Sequence, residues 1–174
     1  MEKKKVFCLS ILMFFACLSV NAQKIKKKEF DKFTKLETVI TSTETLYTRS
    51  IVGVPTMKFK FYIKKAGDTY TMFATISNNV CDGYDKTSGI ILLLSDGNVV
   101  KLNTNFTGVS SKLSVHSPLW DFETSFNISP EAVAMLKEND IDEVRVTTVD
   151  SYYDIELKTN KKGILRKMIR LFDK

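Results

Sequence analysis

Period-two alternation constrains this chain more than any other feature. In the stretch from Thr56 to Lys65, "TMKFKFYIKK", Met57, Phe59, Phe61 and Ile63 fall on one face, and Lys58, Lys60 and Lys64 on the other. Side chains of a strand point alternately to its two faces, so this is a half-buried strand with a solvated lysine side. Ala66-Gly67-Asp68 supplies a turn, and Tyr70, Met72, Ala74 and Ile76 continue the alternation on the returning strand. The run Ile90–Leu94 does not alternate, which predicts a central strand covered on both faces. Ser95-Asp96-Gly97-Asn98 then turns the chain into a partner strand carrying Val99, Val100 and Leu102.

The rest of the chain follows the same grammar. Thr38–Ile51, rich in threonine, valine and isoleucine, reads as the first strand. Trp120–Ile128 alternates again, with Trp120, Phe122, Phe126 and Ile128 inward. Ser129-Pro130-Glu131 is a helix start, combining a capping hydroxyl, a proline at the first turn and an acid at the positive end of the dipole. Val133 and Leu136 give that helix its buried side, and Asn139 ends it. Val144–Val149 and Tyr152–Leu157 form a hairpin around Asp150-Ser151. Ile164, Leu165, Met168, Ile169, Leu171 and Phe172 recur at helical spacing opposite Lys161, Lys162, Arg166, Lys167 and Arg170.

The predicted fold class is therefore α+β. It is mainly an antiparallel sheet of about eight strands, with one short internal helix and a C-terminal amphipathic helix packed on the sheet. Phe59, Phe61, Met72, Trp120, Phe122, Phe126 and Met168 are the predicted core.

The N-terminus carries a second pattern. Lys3, Lys4 and Lys5 precede an apolar run from Val6 to Val20, and Val20 and Ala22 stand at the −3 and −1 positions of a cleavage site. That order describes a secretory signal peptide over residues 1–22, too short and wrongly flanked for a transmembrane helix. Removing 22 of 174 residues leaves 152, the length of one ordinary domain, here residues 23–174. Lipidation at Cys17 is the alternative to cleavage after Ala22. Loss of three lysines and one glutamate lowers the formal charge from +6 to +4. The remaining excess sits at the two ends of the chain, which argues against a nucleic-acid-binding face.

The candidate chemistry is sparse. Cys8 and Cys17 leave with the signal peptide, so Cys81 is the one mature thiol and no intramolecular disulfide or cysteine metal cluster forms. Cys81 lies in "NNVCDGYDKTSG", Asn78–Gly89, which lacks the alternate oxygen ligands and twelfth-position glutamate of a calcium loop. Cys81 with His116, the one histidine, oriented by Asp82 or Asp85, is the weak catalytic candidate. The plainer reading makes the stretch a polar loop between strands, with Tyr84 on its rim. The pairs Asp121/Glu123 and Asp154/Glu156 sit two apart on alternating strands, where carboxylates solvate a face. The sequons at Asn105 and Asn127 matter only in a eukaryotic secretory pathway. No Gly-x-Ser-x-Gly elbow, phosphate loop or zinc motif occurs, and no metal or cofactor is called for.

Four segments taken in order carry a resemblance: "FDKFTKLETVITSTETL" (30–46), "GIILLLSDGNVVKL" (89–102), "FNISPEAVAMLKENDIDEVRVTT" (126–148) and "SYYDIEL" (151–157). Together the chain resembles a group of uncharacterised, small exported proteins of Gram-negative bacteria. The resemblance implies export to the periplasm or cell surface and transfers no functional residue.

Three functions follow as expectations. The first is a non-catalytic binding or interaction module of the cell envelope, whose partner is a protein or an apolar small molecule. Its carrier variant holds that molecule between the sheet and the C-terminal helix. The second is a hydrolase using Cys81 or surface carboxylates. The third is contact with a membrane surface through the C-terminal basic helix.

Overall fold

The computed structural model describes residues 23–104, 108–112 and 119–173; the expected signal segment 1–22 with Cys17, and Asn105 and His116, lie outside them. The described residues form an α+β fold of two antiparallel sheets, a two-stranded ribbon and short helices. The strands are β1 Ile25–Phe30, β2 Glu37–Thr41, β3 Glu44–Ile51, β4 Val54–Ala66, β5 Thr69–Asn78 and β6 Gly83–Tyr84. They continue as β7 Gly89–Leu94, β8 Val99–Asn103, β9 Gly108–Val109, β10 Trp120–Ile128, β11 Ile141–Thr147 and β12 Tyr152–Glu156. The helices are α1 Pro130–Glu138, α2 Thr159–Lys162 and α3 Ile164–Arg170, followed by a 3-10 turn Leu171–Asp173.

The first sheet runs β1-β2-β4-β5-β10, with β3 also on β4. Its inner face is built in cross-strand rows. Phe59, Ile76 and Phe122 are in register, as are Ile63, Met72 and Phe126. Between them, Phe61 meets the small Ala74 and Thr124, so large and small side chains interdigitate. Each fully buried Phe, Met or Ile contributes about 1.5–3 kcal/mol relative to exposure. The second sheet, β12-β11-β7-β8, buries Ile90, Leu92, Leu94, Val100, Leu102, Val144, Val146 and Ile155 in the same cluster.

The helices close that cluster. The Ser129 hydroxyl accepts from the Ala132 N–H at 3.2 Å, and Ala132, Val133 and Leu136 turn inward. Ile164, Leu165, Met168 and Ile169 of α3 are buried against the sheets, and Phe172 meets the edge of Tyr70 at 5.5 Å. The Lys161 ammonium donates to the Thr45 carbonyl at 2.8 Å, tying α2 to the first sheet. The Arg170 guanidinium donates to the Lys137 carbonyl at 2.7 Å, satisfying one orphan acceptor at the end of α1.

Several expectations are corrected. Twelve strands occur among the described residues rather than about eight. The lysine-rich Ile25–Phe30 is a strand because β2 templates it, and the ribbon β6–β9 adds two short strands. The single strand expected over Thr38–Ile51 breaks at Ser42-Thr43. Ser42 there donates its hydroxyl to Glu44 at 3.0 Å, while the Ile63 N–H donates to the Thr41 hydroxyl at 3.0 Å. Side-chain bonds thus replace the ladder at that point. The run Ile90–Leu94 is covered on one face only, since Ile91 and Leu93 stay half-exposed beside Arg145 and Asp154. Trp120 is half-buried rather than core, with the Lys112 ammonium 4.9 Å from its ring centre. The C-terminal helix is divided at Gly163.

Two glycine-related positions give stability tests. A Cβ at Gly89 would collide with the Leu102 carbonyl oxygen and lie 3.0 Å from Asn103 Cα, both backbone atoms of the neighbouring strand. Gly89→Ala is expected to lower stability by about 2–3 kcal/mol in urea unfolding; an unchanged midpoint would contradict this packing. The β3–β4 turn places Val52 at φ +49 and Gly53 at φ +78, a pair of left-handed residues that favours Asn-Gly. Val52→Asn is expected to raise stability by about 1 kcal/mol in the same assay.

Candidate functional site

The loop around Cys81 is more ordered than a plain turn. Asn78, at the end of β5, donates from Nδ2 to the Asp82 carboxylate and to the Tyr153 hydroxyl at 3.2 Å. Its Oδ1 accepts the Val80 N–H at 3.1 Å. The Asp85 carboxylate accepts from the Thr87 hydroxyl at 2.6 Å and the Thr87 N–H at 2.8 Å, then from Ser88. Those bonds, the Thr87 hydroxyl first, hold the Asp85 pKa below the usual carboxylate value. Both carboxylates of the loop are therefore committed to local bonds.

Tyr84 is a correction to the rim position expected of it. It is 2% exposed, its ring stacked on Phe122 at 3.5 Å, and its hydroxyl 3.4 Å from that of Tyr153. Burial pushes the Tyr84 phenol well above its ordinary pKa, with Tyr153 and Asp82 adding to the rise. Burial likewise raises Tyr153. Raised phenols stay protonated at neutral pH, so this pair gives and receives hydrogen bonds and does not act as a base. Cys81 itself is exposed, with Sγ 3.8 Å from the Ser110 carbonyl. Its proposed partner His116 lies outside the described residues.

The members of the carboxylate pairs differ in their surroundings. Asp154 is clamped by Arg145 through two bonds of 2.6 and 2.7 Å, which lowers its pKa and removes it as a proton donor near neutrality. Asp121 is 8% exposed rather than solvated, while Glu123 is exposed. Among the described residues, no three His, Cys, Asp or Glu side chains form a metal-binding group.

A concavity with a defined chemistry lies elsewhere, on the outer face of the first sheet. Because Phe61 and Ile63 point inward on β4, Tyr62 must point outward. Met72 and Ala74 impose the same on Phe73 of β5. The two residues are direct cross-strand partners, with rings stacked at 4.9 Å and 6° between planes. They sit in an open groove of about 690 Å³ that also carries Thr43, Lys60, Thr75, Glu123 and Ser125. A second hollow of about 290 Å³, lined by Lys26, Lys27 and Ile40, shares Thr43 and Tyr62 with it. Lys60 on β4 and Glu123 on β10 are in register across Thr75, so opposite charges stand in the row next to the aromatic pair. Lys60 close beside Lys58 lowers the Lys58 pKa through its hydrogen bond and like charge.

The lysine alternation marks this face as solvated, and the aromatic pair on it is an addition to that expectation. The signal was present: a hairpin turning at Gly67-Asp68 sets Tyr62 opposite Phe73. No family model, no curated protein and no solved structure matches the chain.

The phenol pair carries a pH test. Unfolded tyrosines ionise near pH 10, approximately. Tyr84 and Tyr153 hold their protons to higher pH in the fold. Their contribution to stability is complete below roughly pH 10 and is lost as pH rises above it. Tyr84→Phe is expected to flatten the alkaline decline measured by urea unfolding at stepped pH, at a cost of about 1 kcal/mol at neutral pH. An unchanged alkaline slope would contradict the burial of Tyr84.

Proposed function

We propose that the protein is an exported, non-catalytic binding module of the cell envelope, and that it binds through the outer face of the first sheet. The observation that carries this reading is the half-exposed Tyr62–Phe73 stack inside an open groove. Two aromatic rings left at a polar sheet surface cost solvation that a bound partner recovers. The ligand that suits the groove has a flat apolar part to lie against the rings. Its hydrogen-bonding edges meet Lys60, Thr75, Glu123 and Ser125.

Export rests on the cationic start, the apolar run and the small residues before Gln23. No helix among the described residues is long and apolar enough to cross a membrane. The carrier alternative needs a hollow between sheet and C-terminal helix. That layer is occupied by Ile63, Phe126, Met168 and Ile169, each 0% exposed, which favours the outer groove instead. The hydrolase alternative gains no support from Asp82 and Asp85, which are held in local bonds.

Native mass spectrometry of the protein purified from its own cell envelope tests both parts. The expected result is a chain beginning at Gln23 that carries a non-covalent mass, lost in Tyr62→Ala/Phe73→Ala. Because both rings are half-exposed, that double variant is expected to lose only about 1 kcal/mol of stability. Retention of the same mass by the double variant would contradict the assignment of the groove.

A further inference from the structure

The hairpin joining β1 to β2 ends in a feature that the binding groove does not use. Phe30 is 64% exposed, Phe33 85% and Leu36 46%, all within seven residues of one turn. The turn is built to hold them there. The Asp31 N–H donates to the Leu36 carbonyl at 3.0 Å, and the Asp31 carboxylate accepts from the Phe33 N–H at 2.8 Å and the Thr34 N–H at 3.3 Å. Phe33 is therefore presented to solvent by an organised Asx turn.

Charge surrounds this apolar tip asymmetrically. The segment 24–37 carries six lysines and three carboxylates. Glu29 is paired with Lys27 at 2.5 Å and Glu37 with Lys28 at 3.0 Å, while Asp31 is engaged in the turn. Lys32 and Lys35 remain as the charges flanking Phe33, the Lys32 ammonium standing 5.2 Å from its ring centre. An exposed aromatic ringed by lysines is complementary to the boundary of an anionic bilayer. The ring enters the acyl border there, and the ammonium groups remain among the head groups.

We propose that the β1–β2 hairpin tip docks on an anionic membrane surface by inserting Phe33, with Lys32 and Lys35 on the lipid phosphates. This moves the membrane contact away from the C-terminal helix, whose Ile164, Leu165, Met168 and Ile169 are consumed by the core. The inference is independent of the groove on the outer face.

The test reads position 33 itself, so that any other lipid-binding segment of the full chain does not interfere. Phe33→Trp in the full chain is mixed with vesicles of phosphatidylglycerol and brominated phosphatidylcholine in equal parts, and with brominated phosphatidylcholine alone. Subtracting the wild type removes the signal of Trp120. The expected result is a blue shift and quenching of the introduced indole with the anionic vesicles only, weakened by salt and by Lys32→Ser/Lys35→Ser. Phe33→Ser is expected to lower affinity for anionic vesicles by about tenfold in a chain processed at Gln23. Its unfolding midpoint should not move, because position 33 lies outside the core. An unquenched indole at position 33 on vesicle-bound chain, or equal quenching by neutral vesicles, would overturn the proposal. So would retention on poly-glutamate without quenching, which assigns the tip to an acidic protein. Dimerisation abolished by Phe33→Ser would overturn it too, assigning the tip to a second copy.

Discussion

The structure depends on the cross-strand rows of β4, β5 and β10. Phe59 with Ile76 and Phe122, and Ile63 with Met72 and Phe126, bury nearly all of their surface in one plane of contacts. A register slip of one residue would expose every member of these rows, so the pairing is specified strongly. The second sheet and the helices have only to cover the same apolar face. The threonine pair Thr104 and Thr124 is bonded where β8 meets β10, the point at which the two sheets join.

That inward commitment also dictates the outward face. With the core positions fixed, Lys58, Lys60, Tyr62 and Lys64 must emerge on the other side of β4, and Phe73 and Thr75 on that of β5. The groove is thus a by-product of the packing register as well as a candidate binding surface. Its floor is a continuous hydrogen-bonded sheet. A ligand resting there would meet a rigid platform, which limits the ordering entropy of binding. The loops behave differently. The Cys81 stretch spends its polar groups on itself and on the pair of buried Tyr84 and half-buried Tyr153, which gives it a structural use for each carboxylate.

Much of this fold was legible in the residues. Alternation in β4, β5 and β10, the Ser129 cap and the Asp96-Gly97 hairpin all stand where local rules put them. Three of the failures share a cause, since each depends on a partner remote in sequence. Ile25–Phe30 reads as a basic end until β2 offers it a ladder. Tyr84 reads as a rim residue until β10 brings Phe122 against its ring. The break at Ser42 needs the Thr41 hydroxyl to meet the Ile63 N–H across the sheet. The aromatic pair of the groove could be placed from the hairpin register, but its concavity arises from the way Thr43, between β2 and β3, and β10 flank it.

Hydrogen–deuterium exchange shows whether a partner occupies the outer face of the first sheet. The protein would be compared after gentle purification from its native cells and after denaturation and refolding, which strips bound partners. The gently purified form is expected to be more protected over 58–64, 71–77 and 121–126, the strands that carry the outer face. Added protection confined to the Cys81 loop or to the C-terminal helix, with those strands unchanged, would contradict it.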